Sequence, residues 1–399
     1  MAQKRILFIS GSLGLGHVTR DLVIAEKLRE QYPNIDISWI AANPASMVLK
    51  EAGEKLLPEA GEWANENELA ESLSKGAKLN LVQYVMAAQD VWKKNAGIFY
   101  KAMNKQRYDL AIGDETYELA IALREKQIQV DPTFVMMYDF IGVDAMTEAQ
   151  QEAKAAYFVN ERWAHGYDNV PESLITLLFV GEEADIPDRT FGQSLPNRRD
   201  HVKERYHCIG YIVPFEPDDY ADKKNIRKKL AYGEEPLIVC SIGGTAIGKP
   251  MLDLCAKAFP IIREKIPDLR MVLVGGPRVS LDSSETQQGI EVKGYVPRLF
   301  EHFAASDLAI VLAGGTTTIE LTALRKSFIY FPLEEHFEHQ IATAHRLSRH
   351  KAGVKMTFSE TTPKSLAECA VANLGKEAPY PPIATEGAKK AVDIISRLI

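Results

Sequence analysis

Short apolar runs rich in β-branched and aromatic residues alternate with segments of helical periodicity along most of the chain, and this series starts twice. Alternation of this kind builds a doubly wound α/β sheet, because parallel neighbouring strands need a crossover helix between them. We therefore predict two Rossmann-like parallel-sheet domains. The predicted strands are Arg5–Ser10, Ile35–Ala41, Asp109–Gly113, Thr133–Tyr138, Pro236–Ser241, Arg270–Gly275, Glu291–Tyr295, Leu308–Ala313 and Ser327–Pro332.

The boundary between the two series is marked by a change of composition. Residues 214–222, PFEPDDYAD, hold two prolines and four acids, and polar, proline-rich stretches are typical of linkers. We predict an N-terminal domain over residues 1–213 and a C-terminal domain over residues 214–384. The last segment, residues 385–399, has a helical stripe of apolar residues and is predicted as a separate helix.

Charge and cysteine content exclude several classes of protein. The 399 residues include 54 acidic side chains against 47 of Lys and Arg, a net charge of −7, and nucleic-acid binding needs a basic surface instead. The four cysteines have no CxxC spacing, so neither a disulfide framework nor a zinc cage is indicated. No apolar stretch has the length of a signal peptide or a membrane span, and we expect a cytoplasmic protein.

The first of three glycine-rich turns follows the first predicted strand and precedes a helix. Its sequence, GSLGLGH from Gly11 to His17, has GxxGxG spacing where a dinucleotide fingerprint has GxGxxG, and the second strand ends without an acid for a ribose. NAD is therefore disfavoured. The backbone N–H groups of Gly14 and Gly16 would lie where anions bind in open α/β sheets. His17 is a candidate catalytic residue or, alternatively, a helix cap.

The second turn follows the strand that ends at Ser241. Residues 243–249 fit the phosphate-binding pattern GxxxxGK, but Pro250 stands where a magnesium-binding Ser or Thr is required. A nucleoside triphosphatase is therefore disfavoured. We expect Gly244 and Thr245 to donate N–H groups to a diphosphate.

The third turn has the sequence AGGTTTIE and again joins a strand to a helix. Gly315, Thr316 and Thr317, with the next hydroxyl, would face a diphosphate from the helix start without needing a metal. Glu320 is expected on the first turn of this helix. There it either accepts hydrogen bonds from a ribose diol or is simply favoured by the helix dipole.

A segment dense in acids and histidines, residues 334–340, follows the last predicted strand. His336 and His339 share one helix face at best, and no third metal ligand stands out in the sequence. A metal site is disfavoured for that reason. Two other interpretations stay open: a solvated helix start, or polar contacts from Glu338, His339 and Gln340 to a sugar.

These motifs together resemble those of GT-B fold glycosyltransferases that use nucleoside-diphosphate sugars, in particular the peptidoglycan N-acetylglucosaminyltransferase and UDP-dependent glycosyltransferase families. The resemblance spans nearly the whole chain and is strongest from GYVP at residues 294–297, through AGGTTTIEL, to FPLEEHFEHQ at residues 331–340. It implies two domains facing a cleft, an acceptor-binding N-terminal domain, a donor-binding C-terminal domain, and a last helix that crosses back to the N-terminal domain.

The resemblance also implies roles for individual residues. Val296 would contact the nucleobase, and Glu320 would hold the ribose hydroxyls. Sugar hydroxyls would meet Glu338, His339 and Gln340, and the diphosphate would meet the glycines and threonines of the three turns. His17 would be the general base and Asp114 the acid that orients it, since a His held by a carboxylate can take a hydroxyl proton near neutral pH. The implied reaction inverts the anomeric centre and needs neither metal nor cofactor.

Two other functions stay open. The GLGHVTR form of the first loop, with Arg20, also resembles nucleotide-sugar hydrolases of the same fold, which activate water with a similar His. A non-catalytic protein that binds a nucleotide sugar is the alternative outside the enzymes. His339-Gln340 stands where many relatives have Asp-Gln or Gln-Gln, so the sugar is left open.

The acceptor is also left open, although one segment bears on it. Residues 73–107 carry seven Lys or Arg against one acid, with Tyr84, Trp92, Phe99 and Tyr100 between them. A basic, aromatic helix can lie on an anionic membrane surface, which would suit a lipid-linked acceptor and a peripheral location at the inner face of the membrane. The alternative is an ordinary amphipathic helix with aromatics in the core and lysines in solvent.

Overall fold

The computed structural model describes residues 3–399 except 12, 125–132, 167, 169, 172, 280–286 and 379. The chain forms two compact units. Unit 1 contains residues 1–72, 81–214 and 384–399, and unit 2 contains residues 73–80 and 215–383. The chain leaves unit 1 after residue 214, the first residue of the proline-rich stretch. It returns to unit 1 at residue 384.

Unit 1 is built on a six-stranded parallel sheet in the order β2-β1-β3-β4-β5-β6. Its central strands are apolar and buried over most of their length, as expected where helices cover both faces of a parallel sheet. The strands are β1 (Arg5–Ser10), β2 (Asp36–Ile40), β3 (Leu110–Asp114), β4 (Thr133–Tyr138), β5 (Ile175–Phe179) and β6 (Tyr206–Cys208). The helices before the linker are α1 (Gly16–Gln31), α2 (Ala45–Glu51), α3 (Glu66–Leu73), α4 (Leu81–Ala87), α5 (Gln89–Lys105), α6 (Tyr117–Arg124), α7 (Gln150–His165) and α8 (Arg198–Arg205).

Unit 2 repeats this architecture with a second six-stranded parallel sheet in the order β12-β11-β10-β7-β8-β9. The strands are β7 (Leu237–Ser241), β8 (Arg270–Val274), β9 (Ile290–Lys293), β10 (Leu308–Leu312), β11 (Phe328–Phe331) and β12 (Val354–Lys355). The helices are α9 (Lys223–Lys229), α10 (Lys249–Arg263), α11 (Leu299–Ala305), α12 (Gly315–Ala323), α13 (Ala344–His350) and α14 (Pro363–Asn373). The prediction of two doubly wound parallel-sheet domains is confirmed.

The last helix, α15 (Gly387–Ile395), belongs to unit 1, as predicted. Its apolar stripe, Ala388, Ala391, Val392 and Ile395, is buried in the same cluster as Ile6 and Phe8 of β1. Gly387 allows this approach, because a Cβ at that position would lie 2.5 Å from the carbonyl oxygen of Tyr211. The helix therefore completes the core of the unit that contains the N-terminus.

The basic segment at residues 73–107 is not one surface. Residues 73–80 pack within unit 2, although the sequence places them in the N-terminal domain. Three of the four aromatic side chains, Tyr84, Trp92 and Phe99, are buried, and only Tyr100 is exposed. Lys101 pairs with Glu62 at 2.7 Å. The helix face that would have met a membrane is thus turned into the core, which fits the amphipathic-helix alternative.

Among the described residues, no helix combines the length and the apolar character needed to cross a membrane.

Candidate active site

In unit 1, the two residues that end β1 and β3 meet at the carboxyl edge of the sheet. Ser10 and Asp114 are register partners in these neighbouring parallel strands. Strand β1 also pairs with β2 on its other side, so the chain order reverses next to β1. Such a reversal leaves a crevice where ligands bind in open α/β sheets. The loop that leads to His17, the second residue of α1, leaves the sheet at this point.

Two glycines shape the loop between β1 and α1. The N–H group of Gly11 donates to the carbonyl oxygen of Asp114 at 3.0 Å, and a Cβ on Gly11 would lie 2.8 Å from that oxygen and 3.2 Å from the His17 ring. Gly14 has a φ of +85°, which favours glycine, and its N–H donates to Asn67 Oδ1 at 3.0 Å. The loop is therefore fixed close to Asp114 by its backbone. Gly16 is the first residue of α1.

The side chains of His17, Arg20 and Asp114 are in mutual contact. Arg20 donates from Nε and Nη2 to the two oxygens of Asp114, each at 2.5 Å, and its Nη1 donates to Asp139 Oδ2 at 2.6 Å. The Nδ1 atom of His17 lies 2.9 Å from Arg20 Nη2 and 3.4 Å from Asp114 Oδ1. The structure thus brings together the predicted His17 and Asp114, with Arg20 as a third member.

The carboxyl groups near Arg20 differ in the direction of their pKa shifts. Burial opposes ionisation of Asp114, but the charge of Arg20 and the close approach of His17 outweigh it and hold the pKa of Asp114 well below the usual range. Burial and the nearby charge of Asp114 raise the pKa of Asp21 well above its usual value. The pKa of Glu115 is raised by burial and by Asp139. Asp114 is therefore the ionised partner, while Asp21 and Glu115 favour the protonated form.

Unit 2 has a matching arrangement at the carboxyl edge of its sheet. Strand β7 lies between β8 and β10, so the turns after β7 and β10 leave the sheet side by side. In the first turn, Gly243 has a φ of +75°, and Gly244 and Thr245 follow it. Lys249 opens α10 and pairs with Asp253 at 3.3 Å, one helical turn away. This pairing does not test the prediction that the turn is not a nucleoside-triphosphate loop.

The turn after β10 leads directly into α12, which begins at Gly315. The N–H groups of Gly315, Thr316 and Thr317 occupy the first turn of the helix, where no carbonyl of the helix itself can accept from them. Thr318 differs from the expectation. It is buried, and its hydroxyl donates to the carbonyls of Gly314 and Gly315, each at 3.0 Å. Two hydroxyls, not three, are thus left for an anion.

Glu320 lies in the second turn of α12, not the first as predicted, because the helix starts two residues before its expected beginning. The helix N-terminus therefore contributes less to its ionisation than expected. Its side chain is buried, and burial raises its pKa to about 8. A buried carboxyl in this helix can accept hydrogen bonds from a diol, but the ribose contact of Glu320 stays a prediction.

The segment after β11 places three potential ligand groups together. One nitrogen of His336, one of His339 and one carboxylate oxygen of Glu338 all lie within 4.8 Å of one another, so a third group exists that the spacing alone does not reveal. However, His339 Nδ1 accepts the N–H of Leu333 at 3.2 Å, and His336 Nδ1 accepts the N–H of His339 at 3.4 Å. These bonds occupy the Nδ1 lone pairs of both rings and concern no Nε2 atom.

The contacts of Gln340 and Val296 bear less directly on the roles predicted for them. The Gln340 amide donates to the carbonyl of Leu333 at 3.1 Å and accepts from Lys355 Nζ at 3.1 Å. Val296 follows β9 and packs partly against the core of unit 2. Neither observation tests the predicted sugar and nucleobase contacts.

Sequence reasoning did not find two residues that hold the site of unit 1. Asp139 fixes the far end of Arg20, and Asn67 fixes Gly14. Asp139 follows β4, so its position at the carboxyl edge of a predicted strand was an available signal. Asn67 lies on α3, 53 residues from Gly14, and no local pattern connects the two.

Part of the chain is similar to known proteins. Residues 238–398 match the family model of the glycosyltransferase family 28 C-terminal domain. A segment of 148 residues is 26% identical to the UDP-N-acetylglucosamine–N-acetylmuramyl-(pentapeptide) pyrophosphoryl-undecaprenol N-acetylglucosamine transferase of Carboxydothermus hydrogenoformans. That segment covers 35% of this chain, and the chain spans 39% of the length of this curated relative.

Solved structures match over the whole length. The glycosyltransferase of kitacinnamycin has a TM-score of 0.61 and 17% identity, with both chains covered fully. SnogD from Streptomyces nogalater gives 0.58 and 15%, again with full coverage of both chains. MurG of Acinetobacter baumannii gives 0.53 and 14%, covering 99% of each chain. The chain therefore has the predicted two-domain GT-B fold of these structures, and its residues 238–398 are similar to the family 28 C-terminal domain.

Proposed function

We propose that the protein transfers a sugar from a nucleoside diphosphate, most simply UDP, to a hydroxyl acceptor with inversion and without a metal. The observation that carries the proposal is the pairing of His17 with an ionised, fully buried Asp114 in unit 1. Unit 2 supports it with two adjacent turns whose N–H groups suit a diphosphate. The named relative of Carboxydothermus hydrogenoformans uses a UDP sugar, which supports the choice of base.

In this proposal each group has one task. His17 takes the acceptor proton while the hydroxyl oxygen attacks the anomeric carbon. The bond from that carbon to the diphosphate breaks, and the leaving charge is stabilised by the N–H groups at Gly244 and at the start of α12. Glu320 holds the ribose, and Val296 meets the base. Glu338, His339 and Gln340 contact the sugar hydroxyls.

Hydrolysis is the second candidate function, and the contacts of Arg20 favour it. The notable feature is that Arg20 contacts both His17 and Asp114, and the GLGHVTR sequence that carries it is shared in form with nucleotide-sugar hydrolases. In that case water takes the place of the acceptor hydroxyl. A binding protein without turnover would keep the diphosphate site and leave His17 without a catalytic role.

A thermal-shift screen of nucleotides and nucleotide sugars tests the donor half of the proposal. We expect UDP and at least one UDP sugar to raise the melting temperature, by mass action on the folded state. Thr316→Val and Thr317→Val should weaken the shift, whereas Thr190→Val, at an exposed position of unit 1, should not. A shift with other nucleotides only would contradict the choice of UDP.

A further inference from the structure

Arg20 uses its nitrogen atoms in a way that constrains His17. One edge of the guanidinium donates to Asp114 through Nε and Nη2, and Nη1 donates to Asp139. Nη2 carries a second hydrogen, and His17 Nδ1 lies 2.9 Å from Nη2. Arginine stays protonated in proteins and has no acceptor atom. In this contact Arg20 is therefore the donor and Nδ1 the acceptor.

The consequence is a defined tautomer. A neutral imidazole carries one proton, and if Nδ1 accepts a hydrogen bond then that proton lies on Nε2. The competing arrangement would have Nδ1–H donate to Asp114 Oδ1, but that distance is 3.4 Å, beyond the usual range of N–H···O bonds. Both oxygens of Asp114 already accept from Arg20 at 2.5 Å.

We propose that Arg20 is a positioning residue that holds neutral His17 with its proton on Nε2 in the ligand-free site. The tautomer itself follows from contacts within unit 1. Its catalytic meaning rests on the proposed function, because a base needs the lone pair of Nε2 and this tautomer does not offer it.

Catalysis then requires one proton exchange before the sugar is transferred. The Nε2 proton leaves to solvent and Nδ1 takes one from solvent, so the ring stays neutral. Nδ1–H then donates to Asp114, and Arg20 must give up its contact with Nδ1. The free Nε2 lone pair afterwards takes the acceptor proton as the new C–O bond forms and the bond to the diphosphate breaks. A simple His–carboxylate pair has no such step.

The position of Arg20 is well determined by its neighbours. It is 4% exposed, and Asp139, which holds Nη1, is itself held because its N–H donates to Glu115 Oε1 at 2.9 Å. Two carboxylates from the ends of different strands thus fix the plane of the guanidinium. The contact with His17 is therefore set by the fold of unit 1 and not by a mobile surface side chain.

The test is the ¹⁵N spectrum of the histidine rings in the full chain, in the absence of nucleotide. Multiple-bond couplings between the ring nitrogens and the carbon-bound ring protons distinguish a protonated nitrogen from an unprotonated one. The signals of His17 are those that disappear in His17→Gln. We expect the pattern of an Nε2–H tautomer in the unmodified protein. Arg20→Lys and Asp139→Asn should both move the pattern toward Nδ1–H, since each weakens the hold of Arg20 on Nδ1.

Arg198→Lys is the matched control. Arg198 is also buried in unit 1 and pairs with Asp144 at 2.9 Å, but it does not touch His17. It should leave the His17 signals in place. An Nδ1–H pattern in the unmodified protein would overturn the proposal, even if neither variant folds. A pattern unchanged in both folded variants would also overturn it.

The spectrum and the proposed function can fail separately. If no nucleotide sugar is turned over, the tautomer is still read directly. If His17 is essential for sugar transfer but its spectrum shows the Nδ1–H tautomer, the proposed function is supported and the proposed role of Arg20 is rejected.

Discussion

Asp114 lies beside Ser10 in the parallel register of β3 and β1, and its carbonyl oxygen accepts the N–H of Gly11, the residue that follows Ser10, at 3.0 Å. The loop that leads to His17 is therefore tied to the strand that carries the carboxylate partner of His17. A shift of this register by one residue would turn Asp114 to the opposite face of the sheet. The geometry of the candidate site thus depends on the pairing of two strands as much as on the loop.

His17→Ala should lower turnover of the nucleotide sugar by about 10²–10⁴-fold, because it removes the proposed proton acceptor. UDP binding should stay unchanged, since the substitution removes no backbone N–H group from the three turns and leaves the donor-binding residues of unit 2 intact. The measurement is UDP release together with calorimetric titration of UDP. His207→Ala, an exposed histidine on β6, is the control and should leave both values as they are. Full turnover in His17→Ala would show that the base lies elsewhere.

Gly11→Ala should both destabilise unit 1 and reduce turnover. The added Cβ would lie 2.8 Å from the carbonyl oxygen of Asp114, so the loop or the strand must move, at a cost of about 1–3 kcal/mol. Gly97→Ala in α5 is the matched change, because its Cβ meets nothing within 4 Å and alanine favours a helix by about 0.5–1 kcal/mol. Chemical denaturation compares the two. Equal stability of both variants would contradict the close contact at Gly11.

Glu320→Gln should change how stability depends on pH. The pKa of Glu320 rises from its usual 4.5 to about 8 on folding, so between these values the folded state holds a proton that the unfolded state has released. Stability from this group is complete below about pH 4.5 and is lost as pH rises toward 8, by up to about 1.4 kcal/mol per pH unit.

The glutamine variant lacks that loss and should be more stable than the parent at pH 8–9, with little difference at pH 4. Melting temperatures across this range provide the measurement. Glu360→Gln, at an exposed position of unit 2, should follow the parent at every pH. A parent and Glu320→Gln pair with parallel profiles would mean that Glu320 is ionised in the folded protein.

Chelation should not affect donor binding or turnover. The diphosphate is proposed to be held by N–H groups, and the Nδ1 atoms of His336 and His339 already accept backbone N–H bonds. UDP titration and UDP release are measured before and after EDTA treatment. Loss of either one, restored by added Mn²⁺ or Zn²⁺ and abolished in Glu338→Gln, would assign a metal to this cluster.

Local sequence patterns predicted most of the fold because the two sheets are parallel and buried. Strands such as β1 and β4 are continuous apolar runs, and their predicted bounds, Arg5–Ser10 and Thr133–Tyr138, are those of the structure. Strands β5 and β6 and helix α7 were not predicted. Strand β6 has only three residues, and the polar, partly exposed α7 has a weak apolar stripe.

The candidate site divides in the same way. His17 and the glycine turns could be found because each follows a strand and opens a helix. His17 and Arg20 are three residues apart and share a face of α1, which helix periodicity allows. The orientation of the Arg20 guanidinium could not be predicted, because it depends on Asp139 and Asp114 at the ends of two further strands. The exclusion of Thr318 from the anion-binding turn likewise depends on where α12 begins, which periodicity gives only to within a few residues.

The most direct test of the central claim is the release of UDP from the UDP sugar that gives the largest thermal shift, with and without an acceptor extract of glycans and lipid-linked sugars. The account predicts that UDP is released rapidly only when acceptor is present, and that the sugar is then found on the acceptor in equal amount. Equally rapid release in buffer alone, with free sugar as the product, would contradict it and identify a hydrolase.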